Sequence, residues 1–325
     1  MPFFMIGTQR SGSNLLRVMI NQSPQIVAPH PPHFLERLGP LLPGYGDLSV
    51  DQNFLALIDD VILLIKTNPV NWDLGAIDRQ HLLKTCPERS LVALSFQVHD
   101  LLAQAVGARD WVCKSLANVH YADEISRFGG RNAKFIHLHR DGRDVAVSFR
   151  KAIVGEKSAY HIAKQWQEEQ DKALALQKKL PQDQFISVRY ADLVRNPRDE
   201  LQKLCDFMQI DFLEQMLEFH KSREAITTSQ AGQMWSNVQK PIMSENVSKF
   251  LRELSLLDVS VFEAVAGEAL TALGYPLTSS FQEENERLKA KAMETADPVD
   301  LQRRSAQARA LEDIRNRLKG ERHVA

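Results

Sequence analysis

The sequence predicts an α/β fold around a central, mostly parallel sheet, and three observations carry that prediction. The chain opens on a short apolar run, Phe3 to Ile6, which meets a Gly-bounded polar turn and then a helical pattern. Short apolar runs go on alternating with helical stretches as far as Arg189, the order expected of parallel strands joined by crossover helices. Three cations, Arg10, Lys114 and Arg140, each fall just past the end of a predicted strand, the edge where such sheets bind ligands. From Gly7 to Gly12 the first turn keeps the G-x-x-x-x-G spacing of a nucleotide phosphate loop. The fold class is therefore a P-loop NTPase-like three-layer arrangement with helical insertions and a helical C-terminal extension.

The loop departs from that pattern in an informative way. Ser13 stands where the phosphate-binding lysine would be, and Asn14 where a magnesium-binding Ser or Thr would be. Its cation lies inside the turn, at Arg10. Such a loop is suited to an anionic, phosphate-like group at a helix start, without magnesium.

Composition sets the outer bounds. The 325 residues can bury a substantial core, and 44% hydrophobic with 25% charged residues is ordinary for a globular protein. A formal net charge of −1 gives no global argument for nucleic acid, so any basic surface must be a focused pocket. The three cysteines, Cys86, Cys113 and Cys205, share no C-x-x-C spacing, which reads against a disulfide framework or a zinc site and for a reducing compartment. The first apolar run leads straight into the loop and resembles no signal peptide. The stretch from Phe54 to Ile65 contains Asp59 and Asp60 and is too short to span a bilayer. A cytoplasmic protein is expected.

After the loop, Leu15, Leu16, Val18, Met19 and Ile20 form an apolar helical face that ends near Asn21. Residues 28–34 then carry three prolines among seven positions, together with His30 and His33. Regular structure is forbidden there, and the two histidines ride on a stiff loop beside the phosphate site. A plain surface connector is the other reading. Residues 35–110 read as mostly helical and carry no motif; a cap shaping an acceptor pocket is expected. Residues 111–115 read as a strand ending in Lys114, residues 119–128 as a helix, and Lys134 to His139 as a buried strand before Arg140. Helices over about 142–149 and 159–180 flank this region and lead to a strand over 184–189.

Beyond Tyr190 the pattern is helical. Residues 226–245 are polar and long for a structureless segment inside a compact domain, and they read as a lid. A last core helix covers 259–273. Past residue 278 the composition shifts to Glu, Arg, Lys, Gln and Ala. This gives a division into a domain over 1–278 and an extension over 279–325, read as a solvated helix, with an oligomerisation helix as the second reading. His137 and His139 share one face of a strand and read as core residues rather than a metal pair. Asp141 and Asp144 read as helix-capping residues, with Arg143 pairing with them, and Trp166 and Trp235 read as packing, with contact between Trp235 on the lid and the acceptor as its second reading.

At this point the pieces resemble a known family. The loop over residues 7–16 is similar to the 5′-phosphosulfate loop of sulfotransferases, commonly PRSGTT. The segment FIHLHRDGRDVAVS over residues 135–148 is similar to their 3′-phosphate segment. The resemblance runs in the same order from about residue 2 to 275 and is nearest the tyrosylprotein and bacterial branches. It implies 3′-phosphoadenosine 5′-phosphosulfate (PAPS) as co-substrate, 3′-phosphoadenosine 5′-phosphate (PAP) as product, and no metal. Arg10, the backbone of Ser11, Gly12, Ser13 and Asn14, and the Ser13 hydroxyl would hold the 5′ group. Arg140 and Ser148 would hold the 3′-phosphate. Lys114 would stabilise the leaving phosphate, while Tyr190, in a segment similar to RYEDL, and Lys249 would lie near the nucleotide.

The resemblance leaves the base open. In the tyrosylprotein branch a glutamate shortly after the first helix serves; here His30 occupies the matching region, with His33 and Glu36 in reserve. The acceptor is a hydroxyl or amine on a small molecule, glycan, lipid or peptide. The rival enzyme reading is an ATP-dependent small-molecule kinase, which would need the missing lysine and magnesium ligands. The rival from another class is a nucleotide-binding or assembly protein without turnover.

Overall fold

A computed structural model describes residues 1–152, 155–278 and 306–321. Its centre is a five-stranded sheet in the order β2-β3-β1-β4-β5. The strands are β1 (Pro2–Ile6), β2 (Ile26–Val27), β3 (Asp110–Cys113), β4 (Lys134–His139) and β5 (Phe185–Arg189). All four pairings are parallel. The first strand in sequence thus becomes the middle of the sheet, and the loop that follows it opens at the centre of one edge.

Alternation along β1 separates the two faces. Phe4 and Ile6 join one buried cluster and Phe3 and Met5 the other. Over the Phe4 face lie α2 (Phe34–Leu38), α3 (Asp51–Lys66) and α5 (Leu91–Val106), contributing Phe34, Phe54, Leu57, Phe96 and Leu102. The short α4 (Arg79–Thr85) adds Leu82. The motif-free region is thus the helical insertion expected of it. The Phe3 face is covered by α1 (Ser13–Ile20), α9 (Tyr190–Arg195) and α10 (Pro197–Met208) through Leu16, Met19, Leu193, Leu201 and Leu204. Between β3 and β4 runs α6 (Ala122–Gly129), while α7 (Gly142–Lys151) and α8 (Ala159–Lys179) link β4 to β5.

Four local expectations change. The helix expected over 119–128 begins as a 3₁₀ turn, Leu116–Tyr121, before α6. The two-residue β2 at the sheet edge has too few residues to show a period, and only its pairing with Asp110 and Trp111 reveals it. Residues 226–245 are not structureless: α11 (Arg223–Gln230), capped by the Ser222 hydroxyl, and a 3₁₀ turn, Gln233–Gln239, occupy much of the stretch. The fourth concerns the extension. Following α12 (Phe250–Glu253) and α13 (Leu256–Ala272), helix α14 (Ala306–Glu321) is no solvated appendage. It packs on α3 and on the 3₁₀ turn Gly39–Gly44, burying Ala310, Ile314 and Leu318. Residues 279–305 and 322–325 of the expected extension lie outside the described residues.

The remaining core expectations hold. His137 and His139 are buried, facing the Gln170 amide and the Tyr275 hydroxyl respectively. Asp141 caps α7 and pairs with Arg143. Trp166 is fully buried. No helix of the described residues is long and apolar enough to cross a membrane.

Candidate active site

The phosphate-type loop spans residues 7–12 and delivers the chain into α1. Gly7 has φ 132°, and a Cβ there would stand 2.3 Å from the Leu138 carbonyl oxygen. Only glycine permits so close an approach of the loop to β4. Gly12 has φ 96°, and its missing Cβ makes room for the Tyr190 ring, which would otherwise lie 2.4 Å away. Tyr190 therefore sits against the loop. Between the glycines, Arg10 adopts φ 70°, a left-handed conformation uncommon outside glycine and one of the backbone geometries from which anion-binding N–H nests are built. Behind the loop, the Gln170 amide donates to the Thr8 hydroxyl at 2.9 Å and ties it to α8.

The sheet brings the second motif to the same place. Arg10 Nε donates to Ser148 Oγ at 3.0 Å, and Arg140 Nη1 donates to the Arg10 carbonyl at 3.2 Å. The Arg140 guanidinium lies 4.6 Å over the Tyr190 ring, and its other nitrogen donates to the Asn246 carbonyl. Burial, and after it the nearby Arg140, lowers the pKa of Arg10. Asp144 does not cap its own helix. Its carboxylate accepts from the backbone N–H of Ser248 at 2.8 Å and Phe250 at 3.0 Å, and so holds the segment that carries Lys249. Trp166 also has a polar role, its indole N–H donating to the Arg140 carbonyl at 3.2 Å.

Lys114, one residue past β3, is buried, and its ammonium donates to Asn14 Oδ1 at 3.2 Å. Burial first, and then the cations Arg17 and Arg10, lower its pKa to about 7. A lysine in this position is short of negative charge and is stabilised by any anion that enters.

His30 is 4% exposed, and its tautomer follows from its partners. Asn68 Nδ2 donates to the His30 carbonyl at 2.6 Å, so Asn68 Oδ1 faces His30 Nδ1 at 2.9 Å as an acceptor. His30 Nδ1 must then carry the proton, leaving Nε2 bare; Nε2 is buried and has no hydrogen-bond partner among the described residues. The Trp72 indole N–H fixes the same carbonyl at 2.8 Å. Burial, followed by Lys114, Arg17 and His33, holds His30 well below the ordinary histidine range. It is neutral at neutral pH and able to accept a proton. Trp235 presents an edge to its ring with centroids 4.7 Å apart, so it is more than distant packing.

His33 is held differently. At φ 61° it precedes α2, and its Nδ1 lies 2.9 Å from Ser115 Oγ and 3.0 Å from Glu36 Oε2. Burial lowers its pKa although Glu36 opposes the shift. Burial alone would raise Glu36, but His33, Arg37 and Lys114 hold it below the ordinary glutamate value, so it is ionised at neutral pH. Of the candidate bases, His30 has a buried ring nitrogen, Nε2, without a hydrogen-bond partner among the described residues, and its tautomer is set by Asn68.

Arg17 carried no signal in the sequence. Fully buried on α1, it donates to the Ala28 carbonyl at 3.0 Å and to the Thr228 hydroxyl at 2.8 Å, and it pairs with Glu224. One guanidinium thus clamps the proline-rich loop and α11 onto the helix that begins at the phosphate loop.

These parts line one cavity of about 1250 Å³. Arg10, Gly12, Ser13, Asn14, Lys114, Arg140, Ser148, Tyr190 and Lys249 line it, as do His30, His33 and Glu36. Ser11 does not; it is fully buried behind the loop, and its hydroxyl has no partner among the described residues. No group of three or more metal-donor side chains occurs among the described residues.

The comparisons agree with this architecture. The chain is similar in fold to the sulfotransferase domain of the olefin synthase of Synechococcus PCC 7002, with a TM-score of 0.55 and 21% identity over 92% of this chain and 96% of that one. It is also similar to the sulfotransferase domain of the curacin biosynthetic pathway, with a TM-score of 0.50 and 23% identity over 90% and 96% of the two chains. No curated protein matches the sequence. The family-level sequence profile described as "Sulfotransferase family" matches residues 2–214, from β1 through the phosphate loop, Lys114, Arg140 and Tyr190. The chain belongs to the sulfotransferase family.

Proposed function

We propose that the protein transfers a sulfuryl group from PAPS to a hydroxyl or amine acceptor and releases PAP. One observation carries the choice of donor: Arg10 of the phosphate loop is hydrogen-bonded to Ser148, and Arg140 to the backbone of Arg10. The two anion-binding motifs are thus one connected surface with two ends, which fits a nucleotide bearing phosphates on both its 5′ and 3′ sides. Tyr190, packed between Gly12 and Arg140, supplies a wall between those ends.

PAPS supplies an activated sulfuryl group on a phosphate leaving group. The loop N–H groups of residues 12–14 and the Arg10 guanidinium bind the 5′ end, and Arg140 with Ser148 binds the 3′ end. Lys114, at the far side of Asn14, stabilises charge that develops on the departing phosphate. His30 Nε2 takes the acceptor's proton as the acceptor oxygen or nitrogen attacks sulfur in line. Asn68 holds the ring in the tautomer that can do so.

Residues 1–278 make up the catalytic unit in this reading, and 279–325 are an appended segment whose helix α14 is docked on it. A reducing, cytoplasmic setting suits three free cysteines, two of them buried.

Thermal-shift titration with PAP, ATP and ATP plus magnesium, followed by PAPS turnover on an acceptor panel, tests the reading. PAP is expected to stabilise the protein most, and Arg140→Ala to weaken PAP far more than AMP, which lacks the 3′-phosphate. Tighter binding of ATP–magnesium would favour a kinase, and PAP binding without any turnover a non-catalytic role.

A further inference from the structure

Helix α14 carries two stripes at helical spacing. Ala310, Ile314 and Leu318 are buried, whereas Ala308, Leu311, Glu312, Arg315, Asn316 and Lys319 line the cavity, and Gln307, also buried, reaches both. The docking is specific. Gln307 Nε2 donates to the carbonyls of Pro32 and Leu64 at 3.4 Å, and Arg317 pairs with Asp60, whose carboxylate also accepts from the Tyr45 hydroxyl at 2.6 Å. The Pro32 carbonyl is shared with Arg37 Nη1, at 3.0 Å. The helix therefore starts beside the loop of His30 and His33 and runs outward along the cavity wall.

Its open stripe is cationic towards its far end. Arg315 and Lys319 have no carboxylate within ion-pair distance among the described residues, and Lys240 on the facing segment has none either. In the proposed reading, Arg10, Lys114, Arg140 and Lys249 answer the donor's charges. The cations of α14 lie instead on its exposed, cavity-lining stripe, opposite the buried stripe that packs on α3 and the 3₁₀ turn Gly39–Gly44. Geometry supplies a ruler. Gln307 touches Pro32, two residues from His30, and at 1.5 Å per residue Arg315 lies about 12 Å and Lys319 about 18 Å further along the helix.

Resting on the sulfotransfer reading above, we propose that Arg315 and Lys319 select an elongated acceptor. It carries a carboxylate or phosphate remote from the oxygen that is sulfated, on the order of 10–20 Å away.

The test uses the full-length chain. PAP titration by calorimetry comes first, since failure of the parent to bind PAP would overturn the donor reading and not this one. PAPS turnover is then measured on short and long ω-hydroxyalkanoates, the matching ω-hydroxyalkyl phosphates and neutral diols. A preference for long anionic members is expected, and the two anionic series show whether carboxylate or phosphate is read. In R315Q/K319Q the ratio of kcat/KM for the long anion over the diol is expected to fall about tenfold, through KM, with a larger fall in R315E/K319E. Both side chains are exposed, so the variants should fold, and PAP affinity checks that they do. Equal use of diols and anions, equal use of short and long anions, an unchanged ratio in the variants, or no turnover of any anionic member would each overturn the proposal.

Discussion

At the scale of single residues, the site is defined by charges that lack their complement. Lys114 is buried beside Asn14 with two arginines nearby, and its pKa stands at about 7. The sign of its linkage follows directly: an incoming phosphate favours the charged form, so binding raises that pKa and draws a proton from solution. PAP binding should take up about half a proton at pH 7 and close to one at pH 8, read by calorimetry in buffers of different ionisation enthalpy, and Lys114→Met should abolish the uptake. In the free enzyme the same group should make kcat/KM decline as pH rises through about 7.

His30 behaves in the opposite sense. Because its pKa is held well below the ordinary 6.5, it stays neutral as pH falls, and the acid limb of kcat/KM should lie below the usual histidine range. His30→Ala should slow turnover by about 10²–10⁴-fold with PAP affinity nearly unchanged. Loss of PAP binding in that variant would place His30 in the donor site instead. The sequence pointed to His30 by its place after the first helix. It could not show Asn68, because nothing local to residues 28–34 says which side chain will stand opposite the ring.

At the scale of elements, a buried pairing across 120 residues, Arg143 with Glu263, helps to hold the site. Arg143 on α7 joins Asp141 at 2.7 Å and Glu263 on α13 at 2.5 Å, with side chains of Arg143 and Glu263 no more than 1% exposed. Its guanidinium also lies 4.0 Å over the Phe250 ring. Arg143→Ala would take the guanidinium from the buried Glu263 carboxylate, which keeps its bonds from the Thr278 N–H and hydroxyl, and should cost about 2–3 kcal/mol in urea unfolding, with the larger damage to PAP binding coming through displacement of the segment at 248–250. An unchanged midpoint would show that α13 relaxes around the loss. The family-like motif RDGRD made Arg140 legible, but the sequence showed only one of the two partners of Arg143. Asp144 was read as a cap of its own helix because the spacing allows it. Its use on the backbone of Ser248 and Phe250 is a tertiary choice.

At the scale of the whole molecule, the last helix decides what the cavity looks like. Polar composition made residues beyond 278 read as solvated, yet a stripe of three apolar residues is enough to seat α14 on α3. If α14 unfolds with the rest of the chain, Ile314→Ala should lower stability by about 2–5 kcal/mol in a single urea transition. A transition unchanged in midpoint, with faster amide exchange confined to 306–321, would instead mark α14 as a separately melting unit. The apolar stripe that an oligomerisation helix would offer is used within the chain.

What the sequence by itself determined is the order of strand, loop and helix, the parallel sheet, and the three cations at its edge. These follow from local periods and from glycines whose backbone no other residue could adopt, so neighbouring residues suffice to express them. Only the tertiary structure decided the tautomer of His30, the clamp formed by Arg17, the charge shortage at Lys114 and the seat of α14. Each depends on groups far apart in the chain that meet in a medium where water cannot take their place. The phosphate loop was therefore legible at once, while the acceptor wall became visible only when residue 307 was found against Pro32.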